Sequence, residues 1–97
     1  MFFLPEGEVI CLIFITLIKW RQPPKREPME KATKKLEELK KLGTIIRTYW
    51  TMGRYDAVAI IEAPTEKDAM KALLGFQDII ITETMLAVPR EEAIKLL

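Results

Sequence analysis

Residues 44–63 read TIIRTYWTMGRYDAVAIIEA, two β-prone runs that meet at a glycine. Thr44–Met52 and Tyr55–Ala63 are rich in Ile, Val, Thr, Tyr and Trp, which predicts two strands. Gly53 supplies the positive φ that a two-residue hairpin turn needs. With the loop taken as Gly53-Arg54 or as Met52-Gly53, the two registers differ by an even offset, so the faces come out the same. One face holds Ile46, Thr48, Trp50, Ala57, Ala59 and Ile61, a layer suited to lie under helices, with small Ala side chains admitting a close one. The other holds Arg47, Tyr49, Thr51, Asp56, Val58, Ile60 and Glu62. A three-residue loop would exchange the faces.

Working outward, Gly43 sits where a left-handed helix cap belongs. Before it, Met29, Ala32, Leu36, Leu39 and Leu42 recur at helical spacing and predict a helix over Met29–Leu42. Its polar side offers the i,i+4 pairs Glu30–Lys34 and Glu37–Lys41. Trp20–Pro28 carries three prolines in nine residues and is expected to be a loop. Val9–Lys19 is an apolar, β-branched run and predicts the first strand. On the other side, Pro64 ends the hairpin and Thr65 fits an N-cap with Asp68 at the third helical position. A second helix is expected to reach about Leu74, with Ala69, Met70, Leu73 and Leu74 as its apolar face. Asp78–Val88 predicts the last strand, and Pro89 starts a short amphipathic helix containing Ala93, Ile94 and Leu97. The order β-α-β-β-α-β predicts an α+β, ferredoxin-like sandwich: a four-stranded antiparallel sheet with two helices on one face. Right-handed crossovers place the first and third strands at the centre. Residues 1–97 then form a single domain, with 1–8 as an N-terminal extension and 20–28 as a Pro-rich loop.

In such a sandwich the second face of the sheet needs water or a partner. The first strand does not alternate: Cys11, Ile13, Ile15 and Leu17 point one way and Ile10, Leu12, Phe14 and Ile18 the other. Two apolar faces on a central strand imply two buried faces. A second copy packed sheet to sheet is the economical cover, so a homodimer or higher even oligomer is expected. The short C-terminal helix is the competing cover. Arg47, Tyr49, Asp56 and Glu62 project to this same face, where charges must pair or line a wet cavity. Cross-strand pairing of Arg47 with Glu62, and Tyr49 near Asp56, is the plain structural reading. The functional reading makes Arg47, Tyr49, Tyr55, Asp56 and Glu62 candidate contacts to a small ligand.

Composition removes most chemistry. The chain has 97 residues with 15 Lys+Arg, 14 Asp+Glu, no His and one Cys, and neither Ser nor Asn occurs in it. Without imidazole there is no Ser-His-Asp or Cys-His catalysis, and without His a zinc finger is excluded. Cys11, alone in an apolar run, reads as a buried inert thiol. Asp56, Glu62 and Glu83 lack ligand spacing, so neither a metal nor another cofactor is expected. A net charge of +1 gives no argument for nucleic acid, although residues 19–41 hold nine Lys/Arg against four Asp/Glu. Abundant Lys and Glu with little amide are what heat-adapted proteins show. The ten-residue run Val9–Ile18 is too short for a membrane span, which takes about 20 residues. Glu6 and Glu8 precede it where a signal peptide has basic residues. A cytoplasmic protein with no membrane partner is expected.

Tyr49–Pro64 (YWTMGRYDAVAIIEAP) resembles the signature of the GYD-domain family: Gly53, Tyr55 and Asp56, with one residue between Gly and Tyr, then an Ala/Val-rich strand ending Glu62-Ala63-Pro64. Lys19-Trp20, Thr82-Glu83-Thr84 and Arg90-Glu91-Glu92 also resemble the family, so the likeness covers roughly residues 9–95. The first eight residues and the Pro-rich form of the 20–28 loop depart from it. The resemblance implies a ferredoxin-like fold of the dimeric α+β barrel kind and no particular activity. A homo-oligomeric module that binds a small ligand or regulates a partner is the leading expectation. A cofactor-independent monooxygenase- or isomerase-like enzyme is the alternative, on fold analogy alone, with Tyr49, Tyr55, Asp56 or Glu62 as its acid or base. RNA binding ranks last, because it wants stacking aromatics where the central strands carry aliphatics.

Overall fold

A computed structural model describes residues 2–3 and 9–97, with side chains from Leu12 onward; the expected burial of the Cys11 thiol lies outside that range. The elements are β1 (Phe2–Phe3), β2 (Val9–Trp20), α1 (Arg26–Lys41), β3 (Ile45–Trp50), β4 (Ala57–Ala63), α2 (Glu66–Leu74), β5 (Ile80–Ala87) and α3 (Arg90–Ile94). The main sheet is antiparallel and runs β5-β2-β4-β3, with β2 and β4 at the centre. The ferredoxin-like order and the central strands are those expected from the sequence. One addition lies in the segment read as an extension, where Phe2–Phe3 pairs with Val9–Cys11 as a two-residue strand.

Several boundaries differ from expectation for local reasons. α1 begins at Arg26, inside the presumed 20–28 loop, and Pro28 sits in its first turn. Backbone N–H groups there have no partner in the helix anyway, so proline costs nothing at that position. Trp20 belongs to β2 rather than to the loop. Gly43 adopts φ +96 and closes α1 as expected: its N–H donates to the Lys40 carbonyl, and Thr44 N–H donates to that of Leu39. At α2 the Thr65 hydroxyl oxygen accepts from Asp68 N–H at 3.2 Å, the cap read from the sequence. The buried residues of α2 are Ala69 and Ala72, whereas Met70 and Leu74 are exposed. The inward stripe therefore follows Ala69, Ala72, Leu73 and Phe76. The exposed pair Glu27–Lys31, at 3.9 Å, is the i,i+4 ion pair of α1 among the described residues, in place of the two expected ones.

The side chains of β2 and β4 alternate strictly. Leu12, Phe14, Thr16 and Ile18, with Ala57, Ala59, Ile61 and Ala63, are buried beneath the helices. Two apolar clusters result, Leu12-Phe14-Ile61-Ala63-Ala69 and Ile18-Ala57-Ala59. Thr16, wholly buried, shares a 3.0 Å hydrogen bond with the Thr84 hydroxyl on β5, which satisfies its polar atom inside the core.

Candidate functional site

Three features compete as a functional site, and the register decides which residues belong to each. The first is the sheet face turned away from α1 and α2. Ile13 opposes Glu62, Ile15 opposes Ile60 and Leu17 opposes Val58 across β2 and β4, while Arg47 opposes Ile60 and Tyr49 opposes Val58 across β3 and β4. Arg47, Tyr49 and Glu62 thus share one face with Ile13, Ile15, Leu17, Val58 and Ile60. On β5, Ile81, Glu83 and Met85 join them. The apolar members are only half-covered: Tyr49 remains 56%, Ile81 49% and Met85 48% exposed. The C-terminal helix, the competing cover, has no buried residue, and Ile94, Leu96 and Leu97 stay exposed. Neither an Arg47–Glu62 ion pair nor a Tyr49–Asp56 hydrogen bond occurs among the described residues, so the expected cross-strand pairing is not made within one chain.

The second feature is the end of the sheet at the glycine turn. Gly53 has φ +134, as the turn demands. The register places Trp50 opposite Ala57, consistent with a Gly53-Arg54 loop, and Thr51 N–H still donates to the Asp56 carbonyl at 2.9 Å beyond that pair. Asp56 also ties this end of the hairpin to β2. Its N–H donates to the Ile18 carbonyl on β2, and its carboxylate accepts the Trp20 N–H at 2.8 Å. That carboxylate takes the place of a strand neighbour at the end of β2. Tyr55 lies beside Lys19, whose ammonium is 5.7 Å from the ring centre, and donates its hydroxyl to Glu83 on β5 at 3.0 Å. The bond to Glu83, above all, holds the Tyr55 phenol above its ordinary pKa, with partial desolvation and the Glu83 charge adding to it and Arg54 opposing. The turn motif therefore binds together three strands, β2, β4 and β5, through two side chains.

The five residues singled out from the sequence split accordingly. Arg47, Tyr49 and Glu62 lie on the open face, and Tyr55 and Asp56 lie at the sheet end in contacts with Glu83 and Trp20. Among the described residues no group of three His, Cys, Asp or Glu side chains could hold a metal ion.

The third feature was not read from the sequence. Between α1 and the sheet lies a cavity of about 230 Å³, bordered by Thr16, Trp20, Met29, Thr48, Trp50, Ala59 and Phe76 among others, and by none of the five residues above. It exists because α1, though amphipathic, has no buried residue. Ala63 admits α2 closely, through Ala69, whereas Ala59 floors the void under α1 instead of admitting that helix. Trp20 and Trp50 meet edge to face at one end, their ring centres 5.2 Å apart and their planes at 64°. The available signal was hairpin parity, which put Trp50 in the same layer as Ala57 and Ala59: a bulky residue beside a small-residue floor leaves room next to it.

Comparison with known proteins agrees with the fold. The family model described as GYD domain matches residues 14–97. No curated protein matches the chain. Among solved structures, the chain is similar to a dimeric ferredoxin-like protein of unknown function from Thermobifida fusca YX, at 14% identity and a TM-score of 0.50, covering 78% of this chain and 90% of that one.

Proposed function

We infer that this chain, which belongs to the GYD domain family, works as a homodimer that binds a small ligand. The observation that carries the dimer is the open sheet face. Ile13, Ile15, Leu17, Val58 and Ile60 form a continuous apolar centre with half-exposed Tyr49, Ile81 and Met85 at its borders. Exposed apolar patches of this kind mark association surfaces. The charges on the face, Lys19 and Arg47 against Glu62 and Glu83, balance, so a second copy can meet it without net repulsion. The dimeric state of the Thermobifida fusca protein supports the same reading. Arg47, Tyr49 and Glu62 then belong to the interface or to a polar chamber within it, where ligand contact remains their proposed role, with Tyr55 and Asp56 at its end. A cytoplasmic location fits, because the apolar run Val9–Ile18 is built into the sheet as part of β2; among the described residues no helix is long and apolar enough to cross a membrane.

Light scattering on a sizing column tests the dimer. Twice the chain mass of 11.2 kDa is expected at micromolar concentration, and Ile60→Asp, at the centre of the face, is expected to elute as a folded single chain. A wild-type mass of one chain overturns the proposal.

A further inference from the structure

The cavity under α1, across the sheet from Arg47, Tyr49 and Glu62, offers a second ligand site with a chemistry of its own. We propose that it binds a neutral, planar aromatic molecule of one or two rings carrying one hydrogen-bonding group. It goes beyond the reading of the open face and is independent of the dimer, since the cavity lies on the opposite side of the sheet.

Size comes first. About 230 Å³ is far more than a bound water needs. A void of roughly 150 Å³ with apolar walls already accepts benzene, so this one has room for a second ring. Charge comes next. No Lys, Arg, Asp or Glu lines the cavity, and an ion brought in would lose its hydration with nothing to replace it. Aromatic side chains border it at two places: Trp20 and Trp50 at one end, where Trp50 is 62% exposed and the cavity opens to solvent, and Phe76 on the wall. Rings prefer such neighbours in edge-to-face or offset contact at about 4.5–7 Å.

The polar handle is Thr48. Three threonine hydroxyls border the cavity. Thr16 is bonded to Thr84, and Thr33 donates to the Met29 carbonyl at 3.0 Å. Thr48 lies on the helix-facing side of β3, opposite Ala59, at the solvent-exposed rim of the cavity, and among the described residues its hydroxyl has no protein partner. It can give or accept one hydrogen bond. At the N-terminal end of α1, Met29, Thr33 and Trp50 also border a surface groove beside Pro24, Lys25 and Arg26.

The chain contains two Trp residues, and both line the cavity, so its two indole N–H signals in a proton–nitrogen correlation spectrum report on it directly. Titration of the intact protein with 2-naphthol is expected to shift both signals saturably, with one molecule bound per chain by calorimetry. Naphthalene is expected to bind more weakly and 2-naphthoate not at all. Thr48→Val is expected to weaken 2-naphthol about five-fold, one hydrogen bond's worth, and to leave naphthalene unchanged. Ala59→Met fills the floor and is expected to abolish binding; if it folds poorly, Ala32→Leu on the helix side makes the same test. The proposal is overturned if neither indole signal moves up to the solubility limit. It is equally overturned if a folded filling variant binds as well as wild type, or if the naphthoate anion binds as tightly as the naphthol. A protein that is dimeric but binds none of these probes loses this site and keeps the oligomer; one that binds them as a single chain keeps the site and loses the dimer.

Discussion

Replacing Asp56 by alanine separates a structural motif from a ligand-binding one. The Asp56 carboxylate accepts the Trp20 N–H at 2.8 Å, across 36 residues of sequence. Hydrogen bonds to charged groups contribute about 1.5–3 kcal/mol. Asp56 is half-buried, so water competes for its carboxylate and the lower end of that range applies, about 1.5–2 kcal/mol. The Trp20 amide, meanwhile, is left at a sheet end with no strand beyond it. For a domain of this size each kcal/mol moves Tm by about 4–8 °C, so Asp56→Ala is expected to melt roughly 6–16 °C lower. Asp56→Asn keeps an acceptor and loses only the charge, with an expected cost of about 0.5–1 kcal/mol. Urea denaturation followed by circular dichroism measures both, at one fixed protein concentration so that any self-association is held constant. Hydrogen exchange at Trp20 supplies the local readout and is expected to accelerate in the alanine variant alone. The reasoning fails if Asp56→Ala stays within about 0.5 kcal/mol of wild type, or if Trp20 keeps its protection. Equal damage from the alanine and asparagine variants also refutes it.

Tyr55 carries a pH prediction. Its folded pKa is raised by the bond to Glu83, so the stabilisation is complete below the ordinary phenol value of about 10 and is lost as pH climbs through the raised value. Unfolding free energy is expected to fall from about pH 10 up to the raised value in wild type, and less so in Tyr55→Phe. In a Tyr49→Phe background the phenolate absorbance titration is expected to have its midpoint above the ordinary value, and Glu83→Gln is expected to bring it back down. Gly53→Ala is expected to cost about 1 kcal/mol through backbone strain alone, because φ is +134 and an added Cβ meets nothing within 4 Å; urea midpoints give the value. Thr65→Ala removes the cap that accepts Asp68 N–H and is expected to cost about 1 kcal/mol by the same measurement.

Local rules go far with this chain because its patterns are local. Alternation along β4 and the even offset of both hairpin registers were enough to assign Arg47, Tyr49 and Glu62 to one face and Trp50, Ala57 and Ala59 to the other. Gly43 and Thr65 mark helix ends through backbone geometry that depends on a few neighbouring residues. The apolar run Val9–Ile18 of β2, broken only by Thr16, shows no polar alternation and so presents two apolar faces. The start of α1 was missed because three prolines were weighed by number rather than by position, and a first-turn proline loses no helical hydrogen bond.

The sequence by itself therefore determined the elements and their order from spacing within each segment, the central strands from the handedness of the crossovers, and the second apolar face of the sheet from the lack of alternation in one strand. Only the tertiary structure decided what the turn motif holds and where a cavity opens. Asp56 reaches Trp20 and Tyr55 reaches Glu83 across 36 and 28 residues, and no periodicity carries such partners. The cavity is hidden for a deeper reason. Trp20, Met29, Trp50 and Phe76 come from four separate segments, and an apolar side chain that borders a void has the same signature in sequence as one that fills a core. What distinguishes them is the distance at which α1 settles over the sheet, a property of all the packed side chains together.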